Sequence, residues 1–134
     1  MNFRNLTELL QRSADDTLTH SPDKILVSLG INSREADPTK TSIPALKHMI
    51  TTVIRSFPGT KIFVPEINYS KSLELESRQH LDKLNDEIRQ STRITPLPKL
   101  PEGHFRIDNK DRYNIHWSEI TANKMLTFWL SHLN

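Results

Sequence analysis

The chain has 134 residues, 35% of them hydrophobic and 25% charged, enough for one globular domain with a modest core. With 18 basic and 16 acidic residues the formal charge is only +2, too balanced for a dedicated nucleic-acid surface, and the lack of cysteine excludes disulfides and thiolate metal sites. No apolar run approaches the roughly 20 residues that span a bilayer, and the start at Met1 lacks the apolar core of a signal peptide. The expectation is therefore a single intracellular, cytoplasmic domain over residues 1–134 with no membrane span, no cofactor and no metal.

Phe3, Leu6, Leu9 and Leu10 share one helical face, and the polar stretch from Ser13 to Pro22 reads as a loop. Lys24 to Gly30 is a mostly apolar strand. Ile43, Leu46, Met49, Ile50, Val53, Ile54 and Phe57 then recur at helical spacing, with Pro44 in the first turn and Pro58-Gly59 as the stop. Lys61 to Ile67 is a second strand, and Pro65, having no N–H, belongs at its end or at a bulge. A third helix runs from about Ser77 to Ser91 on Leu81, Leu84 and Ile88, and Arg93 to Pro96 supplies a short last strand. Pro96, Pro98 and Pro101 forbid regular structure, and a loop continues through Gly103 to Tyr113. Ser118 is the expected N-cap of a closing helix with Ala122, Met125, Leu126, Trp129, Leu130 and Leu133 on one stripe. Strands alternating with helices predict an α/β fold, a parallel sheet of about three strands flanked by helices.

In such a sheet ligands bind beyond the carboxyl ends of the strands. Those ends are Gly30 to Ser33, Asn68 to Ser70, and the long loop leading to His116. Gly30 lets the backbone turn tightly, after which the Asn32 amide can point at a developing oxyanion, and His116 is a candidate general base just before a helix. Each has a plainer alternative: Gly-x-Asn also makes ordinary turns, and one histidine among six is more often a surface or packing residue.

Ile25-Leu-Val-Ser-Leu-Gly-Ile-Asn32 resembles the third sequence block of the SGNH (GDSL-type) hydrolases, a strand ending in Gly-x-Asn-Asp whose asparagine serves the oxyanion hole. Asn114-Ile-His116 resembles their fifth block, Asp-x-x-His before a helix. The wording of Leu-Gly-Ile-Asn-Ser-Arg, Val-Pro-Glu-Ile-Asn-Tyr-Ser and Asn-Ile-His-Trp is similar to the esterase-like domain in the first open-reading-frame proteins of LINE-type retrotransposons. The resemblance implies a doubly wound, flavodoxin-like three-layer sheet, acyl-ester substrates, Asn32 and Gly30 on the oxyanion side, and His116 as base.

The departures carry equal weight. The family's Gly-Asp-Ser nucleophile block and the glycine of its second block have no counterpart here, and Asn2-Phe-Arg resembles the segment just after that glycine. The resemblance thus implies an incomplete sheet that Met1 enters after two strands, with the first strand open along an apolar edge. Tyr113 stands where the acid normally precedes the histidine, leaving Asp111 and Asp108 as substitutes, and Ser33 stands in place of the block-three aspartate. Without the serine most of the catalysis of a triad is lost. The chain is therefore expected to be an inactive esterase-like domain; alternatives are an association module, pairing with itself through the strand edge or associating through its Trp117 and Trp129 surfaces, or a nucleic-acid-binding accessory domain, which no basic aromatic stripe supports.

Overall fold

The computed structural model describes residues 1–12, 22–101 and 117–133. Helix α1, Phe3–Arg12, opens where the Asn2 side chain accepts the Asn5 N–H at 2.8 Å. Strand β1, Lys24–Leu26, leads through a short 3-10 turn at Ile31–Ser33 and a single π-helical turn at Pro38–Ser42 into α2, Ile43–Ser56. Asp37 starts that helical run, its carboxylate accepting the Thr39 and Lys40 N–H groups. Strand β2, Lys61–Pro65, is followed by α3, Leu75–Gln90, then β3, Thr95–Leu97, and α4, Glu119–Leu133.

The three strands form one sheet in the order β1-β2-β3, all parallel, with Lys24 beside Lys61 and Phe63 beside Thr95. Because both crossovers advance in the same direction, right-handedness puts α2 and α3 on one face. Helix α1 packs against α2 there. Phe3, Leu46, Met49, Val53, Ile62, Val64, Leu81, Leu84 and Ile88 form the core of that face. Alternation along β2 turns Phe63 to the other face, where Leu97, Leu100 and Met125 are also buried. Residues 62–68 are all buried, as befits the central strand of a sheet covered on both sides. Among the described residues no helix is long and apolar enough to cross a membrane.

The element types and strand directions match the sequence reading; their ends differ for identifiable reasons. The first ladder stops early because Pro65 closes β2, although Val27 still donates to the Phe63 carbonyl at 2.9 Å. Helix α3 begins at Leu75, before Ser77, because Glu74 takes the extended N-cap position while Ser77 is buried inside the first turn. Ser118 does cap α4, its hydroxyl accepting the Thr121 N–H at 3.3 Å. The apolar stripe of α4 is only partly covered: Met125 is buried, whereas Leu126 and Leu130 are exposed.

Candidate functional site

The carboxyl end of β1 is shaped by Gly30. Its φ of 122° lies in the left-handed half of backbone space, and it is buried so closely that an added Cβ would meet Ile67 Cδ1 at 2.5 Å and Phe3 Cζ at 3.0 Å. The turn closes with Ser33 N–H on the Gly30 carbonyl at 2.9 Å, and it leaves Asn32 exposed at the strand end. The Asn32 side chain makes no hydrogen bond among the described residues. Arg34 folds back to donate to the Ile31 carbonyl at 3.3 Å, and His80 of α3 holds the Arg34 carbonyl through Nδ1 at 2.7 Å. A carbonyl only accepts, so Nδ1 carries the hydrogen.

Beside this turn, a cleft of about 190 Å³ is lined by Ser28, Leu29 and Ile31 from the end of β1, Glu66, Ile67 and Asn68 from the end of β2, and Trp117, Met125 and Trp129. The segments that leave β2 and β3 are fixed by buried amides. Asn85 of α3 accepts the Ile67 N–H at 2.6 Å and donates to the Ile67 carbonyl at 3.0 Å, while Asn68 accepts the Leu100 N–H at 2.9 Å. Glu66 is 7% exposed and takes Arg89 Nη2 on Oε1 at 2.6 Å. The hydrogen bond to Glu66, then its charge, with Asp86 behind them, holds the Arg89 guanidinium above its ordinary pKa. In the facing wall the Trp129 indole Nε1 is buried with no hydrogen-bond partner among the described residues.

Of the residues singled out from the sequence, Gly30 and Asn32 stand at the carboxyl edge where ligands are held in sheets of this kind. His116, Asp111, Asp108 and Tyr113 lie outside the described residues. Trp117, next to His116 in the chain, lines the same cleft as Ile31, next to Asn32. The sequence reading passed over Glu66, Asn85 and His80, and it placed Trp129 only on the apolar stripe of the closing helix and in an association surface. Asn85 carried a signal, a polar residue on the face of Leu81, Leu84 and Ile88, but the backbone it holds comes from a distant strand. Among the described residues no group of three or more histidine or acidic side chains converges to hold a metal. No family model matches the chain, and no curated protein matches it.

Proposed function

We propose that the chain is an SGNH hydrolase-like, esterase-like domain in which Asn32 with Gly30 occupies the oxyanion side and His116 the base position. The observation that supports this reading is the left-handed Gly30 turn at the carboxyl end of a parallel strand, with Ile31, the neighbour of Asn32, lining a cleft that Trp117 also lines. The cleft, about 190 Å³, is smaller than the roughly 300 Å³ at which drug-sized ligand sites begin, so the acyl group it fits is a short one. Asp111 or Asp108 remains the acid that would orient His116.

With no Gly-Asp-Ser nucleophile in the sequence, the domain binds rather than turns over its ester. The expected result with p-nitrophenyl acetate is hydrolysis by the wild-type chain no faster than by His116→Ala, the mutant accounting for free-imidazole background. Turnover that survives this control and disappears in Ser33→Ala would make Ser33 the nucleophile and overturn the inactive reading.

A second reading, association through the sheet, is favoured by one observation: β1 is an edge strand with no neighbour on its outer side among the described residues.

A further inference from the structure

We propose that the outer edge of β1 pairs with the same edge of a second copy of this chain, about a two-fold axis through Leu26. This deepens the association reading and stands apart from the hydrolase resemblance.

The two edges of the sheet differ in backbone chemistry. On β3 the Leu97 carbonyl accepts the Glu66 N–H at 2.8 Å, so Leu97 faces β2 and alternation turns Pro96 and Pro98 outward, where neither has an N–H to offer. Prolines blunt that edge against pairing. On β1 the Asp23 carbonyl and the Val27 N–H bond to β2, so Lys24, Leu26 and Ser28 turn their N–H and C=O groups outward. None of these groups has a hydrogen-bond partner among the described residues. Lys24, the kind of side chain that guards an edge, is instead drawn to the Leu133 carbonyl at the end of α4. What completes such an edge is another extended strand.

Helix α4 indicates which strand. Its Met125 and Trp129 face a cleft shared by the ends of β1 and β2, so the helix lies over the gap between those strands. Ile120, Lys124 and Phe128 look the other way, toward Leu100 and Pro101 beyond β3. Leu126 and Leu130 sit about 100° and 140° around the helix from Met125, on the side of the open edge. They are 52% and 50% exposed.

Joining two β1 strands at about 4.8 Å, with each α4 half a strand spacing inside its edge, leaves the two α4 axes about 10 Å apart, a helix-packing distance. The two-fold makes these helices antiparallel, so Leu126 and Leu130 of each copy cover those of the other. The same operation is self-complementary in the backbone: Leu26 exchanges both bonds with its counterpart and Lys24 pairs with the second copy's Ser28, about six hydrogen bonds in all. Such an interface closes on itself and does not propagate.

Sedimentation equilibrium of the whole chain across a micromolar concentration series tests this. A dimer is expected. Leu26→Pro removes an outward N–H without touching the ladder to β2 and should weaken the dimer about tenfold or more. The double change Leu126→Lys with Leu130→Lys, at half-exposed positions, should weaken it as much while circular dichroism stays unchanged. A monomer at every concentration, or a dimer indifferent to both variants, overturns the proposal. A monomer that instead binds a synthetic peptide copying residues 24–30 keeps an edge that takes strands but refutes pairing between folded copies. Neither result bears on whether Asn32 and His116 share a cleft.

Discussion

Gly30→Ala is expected to destabilise the chain by about 3 kcal/mol, a large part of the roughly 5–15 kcal/mol that holds a small domain folded. Two costs combine. A side chain at a φ of 122° is strained by about 1–2 kcal/mol, and the new Cβ would lie 2.5 Å from Ile67 Cδ1 and 3.0 Å from Phe3 Cζ, an overpacking cost of about 1–3 kcal/mol. Gly59 is the control, since its φ is 80° but nothing lies within 4 Å of an added Cβ. Gly59→Ala carries strain alone, about 1 kcal/mol. Urea unfolding should lower the midpoint far more for Gly30→Ala than for Gly59→Ala. Equal losses would mean that β1 does not turn against Ile67 and Phe3 as described.

Asn85→Leu is expected to cost about 3 kcal/mol for a different reason. Asn85 is 1% exposed, and its amide is the hydrogen-bond partner of both the N–H and the carbonyl of Ile67. Leucine fills a similar volume but strands two buried backbone groups, each penalised by about 1–3 kcal/mol. The loss should not depend on pH. Asn85→Asp should behave otherwise, because the introduced carboxyl can donate to the Ile67 carbonyl only while protonated. Its pKa is raised in the folded state, so its share of stability is present at acid pH and lost as pH rises through the folded value. Thermal melts of both variants across acid to neutral pH check this. Parallel curves would mean that the Asn85 side chain does not clamp Ile67.

Much of the fold was legible because it rests on local periodicity. Leu46, Met49, Ile50 and Val53 announce α2 at helical spacing, and the unbroken run Ile62-Phe63-Val64 announces a strand buried on both faces. Pro65 at the end of β2 was legible too, since a missing N–H has a direct structural meaning. The apolar stripe of α4 was less so. Its composition marks an arc, but which part of the arc meets the sheet depends on where the helix is laid, and Leu126 and Leu130 fall outside the covered part. For the cleft, Gly30 and Asn32 could be read from a glycine-turn motif next to an apolar strand. Glu66 could not, because its burial and its bond to Arg89 exist only once α3 has folded back along β2. Trp129 looked like core from its spacing, and only its unpartnered indole N–H sets it apart.

The central claim is that the Gly30-Ile-Asn32 turn and the histidine before α4 serve one cleft. The chain contains no cysteine, so paired cysteines report distance without background. Asn32→Cys combined with His116→Cys, treated with a short rigid bis-maleimide, should give a rapid intramolecular cross-link, seen as a mass shift of the monomer. A base and an oxyanion donor on opposite sides of one carbonyl sit on the order of 5–9 Å apart. Failure of the short reagent, with cross-linking only by one reaching beyond about 15 Å, would separate the two motifs and leave a tight turn and an ordinary histidine.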